Sequence, residues 1–372
     1  MQHADMMRSK QSVHHLDYLD ALRGYAISGV FIAHFTHAFS IHLPPFLRFF
    51  GYGVTLFYVL SAYCLMLSLD RQRECPDWRK YSIRRIFRIA PTFYAAIIVW
   101  SLAHSLHHEP LDWTKIATSM TFVNGFMPSQ IQSAIPHGWS IAVETSFYLI
   151  LPAIFIRVRD FNRAFLVLCL ATPVCVLVSW GFPFLASRMF SGSTQTYAEY
   201  TVYWLPAQLP VFLVGIATYF VVHDERGSGN FIRKACSFSP WLPLGLSIGT
   251  ACAAGYLPPR ISHLAVSLGC ATWIIWLSSN PVSRFSNRLM IRIGVVSFSA
   301  YLFHQFSLDI VTHAFAYDRG SGFQTAAAFA LAALLTLVFA HLGYRLFEKP
   351  SIAWGSRVAG KHRNRAIRMA ES

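Results

Sequence analysis

Leu19-Asp-Ala-Leu-Arg-Gly-Tyr-Ala-Ile-Ser-Gly-Val-Phe-Ile-Ala-His-Phe-Thr-His-Ala-Phe39 is the stretch on which the reading of this chain turns. It is long enough and apolar enough to cross a bilayer as one helix. It nevertheless carries Arg23 near its start and His34 near its end, and ionisable side chains inside a membrane segment are costly unless they have a task or a partner. Eleven residues at about 100° each come within roughly 20° of three full turns, so Arg23 and His34 share one face, about 16 Å apart along the axis. This suggests a polar lane running between the two membrane surfaces. Each residue also has a plain structural explanation, Arg23 as a side chain snorkelling to the headgroups and His34 as a hydrogen-bonded core histidine. The remainder of the chain has to decide.

Of 372 residues, 54% are hydrophobic and only 13% are charged, and the mean hydropathy is +0.41. That is too apolar for a soluble chain of this length, and implies an all-α, polytopic membrane protein. The net charge of +14 does not point to nucleic acid, because the basic residues are split among short segments between apolar runs, a topological pattern. Seven cysteines, mostly inside apolar segments and without a Cys-x-x-Cys pair, read as small buried hydrophobes. Arg8 and Lys10 ahead of an apolar run resemble a signal peptide, but the run is of full span length without a clear cleavage site, so an uncleaved first helix is expected.

Apolar windows predict about ten spans, near 19–41, 51–69, 89–106, 138–156, 164–184, 203–222, 241–257, 261–279, 292–313 and 323–347. Most Lys and Arg residues fall in alternate connecting segments, such as Arg79 to Arg88, Arg157 to Arg163 and Arg284 to Arg292. The other segments hold only Arg48, Lys115, Arg188, Arg260 and Arg319. The positive-inside rule then places both termini in the cytoplasm. The expected organisation is a cytoplasmic segment 1–15, a membrane domain 16–350 and a basic cytoplasmic tail 351–372, disordered or lying on the membrane surface.

Several constellations could carry chemistry. Gly51, Gly53, Ser61 and Ala62 are small enough for close helix packing. In Tyr81-Ser-Ile-Arg-Arg-Ile-Phe-Arg-Ile-Ala-Pro91, Arg85 and Arg88 are adjacent on one helix face and Arg84 points elsewhere. The pair suits phosphates, although a positive-inside signal needs nothing more. Pro136-His-Gly-Trp-Ser-Ile-Ala-Val-Glu144 brings Trp139, Ser140 and Glu144 into the fourth span from outside. Glu144 lies about two turns below the outer surface and His34 about 22 Å above the inner one, so the two could meet at similar depth. His304, well inside the ninth span, reads as a core histidine or a catalyst, and Glu348, at the inner end of the tenth, as an ion-pair partner for the arginines there.

Taken in order, these segments resemble the integral-membrane acyltransferase 3 family. The matching residues are Arg23 and His34; Phe57 to Ser61; Arg84, Arg85 and Arg88 leading to Pro91; Trp139, Ser140 and Glu144 with Phe147, Tyr148 and Pro152; Tyr301 to His304; and Glu348 with Pro350. Ala62 departs from the glycine usual in the family, which touches packing more than chemistry. The resemblance covers roughly residues 15 to 350. It implies transfer of an acyl group, most often acetyl, from acyl-CoA to a hydroxyl of a cell-surface polysaccharide, peptidoglycan, lipid-linked sugar or other small acceptor, in the bacterial inner membrane. Some relatives carry a further hydrolase-like domain after the tenth span; here acceptor recognition is expected to fall to the membrane core and its loops.

On that reading Arg23, Arg85 and Arg88 form a basic mouth for CoA. His34 serves as general base or carries the acyl group, and Glu144 orients His34 or binds the acceptor. Trp139, Ser140, His304 and Glu348 are further candidates. Acyl-CoA is expected as a co-substrate, with no tightly bound cofactor and no metal. A proton-coupled transporter is the competing reading, but paired halves of the kind common in transporters are not found in the sequence. A metal site from His34, His37 and Glu144 is a third option, and the two histidines need no metal to coexist.

Overall fold

The computed structural model describes residues 17–190, 192–223, 227–314 and 322–370, without the side chains of 45, 46, 48 and 361–370. The expected N-terminal segment 1–15, with Arg8 and Lys10, lies outside the described residues, as do Arg319 and the side chain of Arg48. In chain order the helices are α1 (Asp17–Ala38), α2 (Gly53–Asp70), α3 (Trp78–Leu106), α4 (Trp113–Met120), α5 (Trp139–Arg157), α6 (Phe161–Met189), α7 (Thr194–Tyr203) and α8 (Leu205–His223). They continue as α9 (Ser228–Ser237), α10 (Trp241–Ala254), α11 (Pro259–Ser279), α12 (Arg288–Val295), α13 (Ser297–Ala314), α14 (Gly322–Gly343) and α15 (Lys349–Ala370). A 3-10 helix (Pro45–Tyr52) leads into α2 and a π turn (Tyr344–Glu348) joins α14 to α15. No strand occurs among the described residues; with water excluded, helices satisfy their own backbone.

Helices occupy all ten expected windows. Among the described residues, seven stretches are long and apolar enough to cross a membrane, or up to eight if α12 and α13, broken at Val296, form one span. Ten crossings would require α1 and α10 to cross as well. The 14-residue α10 is short for a span, and the ionisable residues Asp17, Asp20, Arg23, His34 and His37 dilute the hydropathy of α1.

Helix α3 begins well before the apolar window at 89, because the Asp77 side chain accepts the Lys80 backbone N–H at 2.8 Å and caps it. Arg84, Arg85 and Arg88 therefore lie between about one and a half and three turns inside the helix, not at its entrance. The last apolar stretch is continuous from Gly322 to Gly360, 39 residues or about 58 Å, so the basic tail starts as an extension of the final span. It packs on α3, with the Trp354 and Phe87 rings 5.2 Å apart, where the sequence suggested disorder or a surface segment. Gly355 permits this approach, since a Cβ there would meet Phe87 Cβ at 2.5 Å.

The chain divides into two compact units, residues 1–68 with 149–297, and residues 69–148 with 298–372. In the first, α1 crosses α12 with almost no side-chain spacer: Cβ atoms on Gly24 and Gly294 would lie 2.2 Å from Met290 O and 1.7 Å from Asp20 O. Such backbone approach is what small residues allow between membrane helices. Gly53 meets Ala26 in the same way and Ala62 faces Gly215 of α8, whereas Gly51 has open space beside it. Of the small residues expected to pack closely, Gly53 and Ala62 do so. Two strongly apolar windows have opposite fates: only 11% of the Phe161–Met189 window is buried, against 83% of the Thr194–His223 window. Helix α6 presents its surface to lipid, and α8 is the core of this unit.

In the second unit, α3 packs on α15, and α14 approaches α13 at Gly343, where a Cβ would meet the Phe303 ring at 2.9 Å. The segment between α4 and α5 folds back on itself: Ser119 Oγ accepts the Ala134 N–H at 2.8 Å and lies 3.1 Å from Ser133 Oγ.

Candidate active site

Seven of the nine residues singled out from sequence belong to the second unit, and four of them, Arg85, Ser140, Glu144 and His304, gather around two tyrosines. On α3, Tyr81 and Arg85 are one turn apart; on α5, Glu144 and Tyr148 are one turn apart. Each pair therefore shares a helix face, and the two faces meet. The Tyr81 hydroxyl donates to the Tyr148 carbonyl oxygen at 3.1 Å, and the Tyr148 hydroxyl donates to Glu144 Oε1 at 2.6 Å. The Arg85 guanidinium carbon lies 5.8 Å from the centroid of the Tyr148 ring, within cation–π range. A single tyrosine thus joins the guanidinium to the carboxylate, through its face and its hydroxyl. Arg84 and Arg85 both hold a buried Nε with no hydrogen-bond partner among the described residues. Such atoms are expensive in a low-dielectric interior, and a phosphate oxygen would satisfy them. Arg88 is half-buried one turn further along.

The second gathering lies at the start of α5. The Tyr301 hydroxyl is 2.7 Å from Ser140 Oγ, and both hydroxyls reach the His137 carbonyl oxygen, at 2.9 and 3.2 Å. His137 takes up a left-handed backbone conformation, φ 60°, which aims its carbonyl this way. Its ring stacks on His304, centroids 6.0 Å apart. His304 is fully buried, and its Nδ1 lies 2.7 Å from the Tyr301 carbonyl oxygen. A carbonyl can only accept, so Nδ1 carries the proton and, in the neutral ring, Nε2 carries the lone pair. His304 is thus part of a polar cluster rather than a lone histidine among apolar neighbours. Trp139 is buried beside Ser140 in sequence. Glu348, in the π turn, is buried and accepts a hydrogen bond from Ser299 Oγ at 2.7 Å. Single π turns inside helices are frequent at functional sites.

Arg23 and His34 belong to the first unit. Arg23 donates to Asp20 Oδ1 at 2.6 Å and to Cys64 Sγ at 3.2 Å, so part of its fork and of its charge is already engaged on α1 and α2. His34 is half-buried on α1, beside the Phe31, Phe35 and Phe39 ring ladder, and His37 is exposed. Among the described residues no three His, Cys, Asp or Glu side chains converge as metal ligands would.

Tyr81, His137, Tyr148 and Tyr301 stood inside the quoted motifs without a role. The one signal that pointed to the first and third is their one-turn spacing from Arg85 and Glu144.

The sequence profile of the acyltransferase 3 family, an acyltransferase domain, matches residues 16–345. The chain belongs to the acyltransferase 3 family. A Staphylococcus aureus protein with a provisional O-acetyltransferase name is 24% identical over 378 residues, covering 89% of this chain and 56% of the relative. YrhL of Bacillus subtilis, provisionally named a peptidoglycan O-acetyltransferase, is 25% identical over 393 residues, covering 95% of this chain and 57% of YrhL. The acyltransferase MdmB of Streptomyces mycarofaciens is 24% identical over 336 residues, covering 84% and 82%. The chain therefore spans little more than half the length of the first two, and most of the third. No solved structure matches. Every constellation described above lies within or at the edge of the matched acyltransferase 3 domain, Glu348 falling three residues past its end.

Proposed function

We propose that this member of the acyltransferase 3 family moves an acyl group, acetyl in the first instance, from acyl-CoA on the cytoplasmic side of a bacterial inner membrane to a hydroxyl of a cell-surface glycan or lipid-linked sugar. The observation that carries the donor half is Arg85, whose Nε is buried and unpartnered while its guanidinium lies over Tyr148, the residue bonded to Glu144. Arg85 and Arg88 hold phosphate groups of CoA. Arg23 contributes less, because Asp20 already neutralises part of its charge. His34 takes the proton of the acceptor hydroxyl as its oxygen attacks the thioester carbonyl. The carbon–sulfur bond then breaks, the CoA thiolate leaves, and the proton passes to it. Glu144, with Tyr148 as its donor, binds the acceptor. The Lys and Arg alternation supports cytoplasmic termini, so reporters fused within 107–137 report outside and those within 223–238 inside.

The test uses purified full-length protein, acyl-CoA and release of free CoA, with no ion gradient. Arg85→Ala with Arg88→Ala weakens acyl-CoA binding more than it slows saturated turnover, and Lys restores it only in part because it lacks the planar fork. His34→Ala retains acyl-CoA binding and loses transfer; His34→Gln, which hydrogen-bonds but takes no proton, loses it too. Unchanged acyl-CoA affinity in the folded double variant removes the phosphate role from these arginines. Substantial turnover by His34→Gln removes His34 as the base.

A further inference from the structure

The first unit contains a cavity of about 330 Å³ that the proposed chemistry does not use. It is a partly open slot lined by α1, the 3-10 helix, the first turn of α2, α10, α11 and Phe285 ahead of α12. Leu22, Phe49, Leu56, Val266, Leu277 and Phe285 set its character. Most of its few polar side chains are already engaged. Ser28 donates to the Gly24 carbonyl at 2.8 Å, Ser247 accepts the Trp273 indole N–H at 3.0 Å, and Tyr25 accepts from Asn287 at 3.3 Å. A sugar or a nucleotide would find almost nothing here to bond with, whereas hydrocarbon would meet a lining that is almost entirely apolar.

The volume is about twice the 150 Å³ that accepts a six-carbon ring, so it holds on the order of a dozen carbons. Apolar cavities do not hold water stably, and an empty one forfeits dispersion contacts along every wall. The charge at one end says what the hydrocarbon is attached to. Phe285 on the wall directly follows Arg284, and Asn287, bonded to Tyr25 on the wall, directly precedes Arg288. Both arginines are exposed and form no ion pair among the described residues, and Arg284 to Arg292 contains no acidic residue. Exposed guanidiniums beside an apolar slot match an amphiphile with one anionic head and a chain, and exposed basic side chains at a membrane surface attract anionic lipid.

We propose that this cavity takes one acyl chain of an anionic phospholipid, with its headgroup phosphate held by Arg284 and Arg288. The test reconstitutes the full-length protein in bilayers doped with phosphatidylglycerol carrying a photoactivatable diazirine in mid-chain, and maps the labelled residues by mass spectrometry. Label is expected on Ile248, Trp273 and Leu277, severalfold above that from a phosphatidylcholine probe with the same chain. Arg284→Gln with Arg288→Gln should abolish the headgroup preference, and Val266→Trp should lower cavity labelling by filling the slot. If the tryptophan variant fails to insert, the headgroup comparison between wild type and the exposed arginine variant decides alone. Label confined to the lipid-facing side of α6, at Leu166, Leu170 and Leu177, would overturn the proposal. So would equal labelling by both headgroups that ignores the arginines, or displacement of the lipid probe by a long-chain acyl-CoA, which would give the cavity to the donor chain instead.

Discussion

Around Tyr148 in the second unit, polar side chains from two helices bond to one another. Around Trp273 in the first, the walls are mostly hydrocarbon and most of the few polar groups are paired off. Both interiors are built from apolar membrane helices, and both contain a tyrosine whose hydroxyl has a partner, Glu144 for Tyr148 and Asn287 for Tyr25. The difference lies in what is left over. The polar cluster leaves Arg85 with a buried, unpartnered Nε, a cost that a membrane protein carries where a ligand relieves it. The apolar cavity leaves empty volume, a cost that hydrocarbon relieves. Chemistry and packing should therefore fail separately in the two places.

The largest effect that sharpens this contrast is expected from Glu144→Gln. The change keeps the shape and removes the charge, so turnover at saturating acyl-CoA should fall by about 10²-fold or more, with the thermal midpoint close to wild type. A midpoint that collapses with the activity would make Glu144 a structural residue and blur the comparison. Next is Leu277→Ala on the cavity wall, where the side chain is fully buried. Enlarging the cavity should cost about 2–5 kcal/mol of stability, measured as a lowered unfolding midpoint, while turnover per folded molecule stays within about twofold. Loss of turnover in a stable Leu277→Ala protein would tie the cavity to the reaction and break the contrast. The smallest effect is expected from Tyr148→Phe, which keeps the ring beneath Arg85 and deletes the hydroxyl bonded to Glu144. A hydrogen bond to a charged group contributes about 1.5–3 kcal/mol, so turnover should drop by roughly tenfold or somewhat more while acyl-CoA affinity holds. A fall in affinity instead would mean that the hydroxyl, and not the ring, sets the position of Arg85.

Much of this arrangement is legible in single segments. All ten windows became helices, since a run of apolar residues in lipid has few other ways to satisfy its backbone. The Asp77 cap was also there to be read, three residues before Lys80, but the charges between 79 and 88 lower the local hydropathy and hid the first turns of α3. The order of the motifs along the chain, from Arg23 and His34 through Arg85, Glu144 and His304 to Glu348, pointed to the acyltransferase 3 family once the apolar windows were set beside them. Their partners were not legible, because Tyr148 and Tyr301 are unremarkable in a chain with 16 tyrosines. What distinguishes them is the neighbour each meets on another helix.

The sequence by itself determined that this protein is helical, lies in a membrane, carries most of its basic residues in short segments between apolar runs and belongs to its family. Each of these properties is a sum or an order along the chain, and needs no knowledge of which helix touches which. Only the tertiary structure decided that α6 faces lipid while α8 is buried, that Arg85 reaches Tyr148, and that a hydrocarbon-lined cavity lies beside Phe285. Hydropathy could not decide these, because lipid tails and a packed helical core are nearly equivalent solvents for a leucine. The outcome depends instead on the rotation and depth of each helix against its neighbours, fixed by close contacts such as Gly24 on Met290 and Gly215 on Val59.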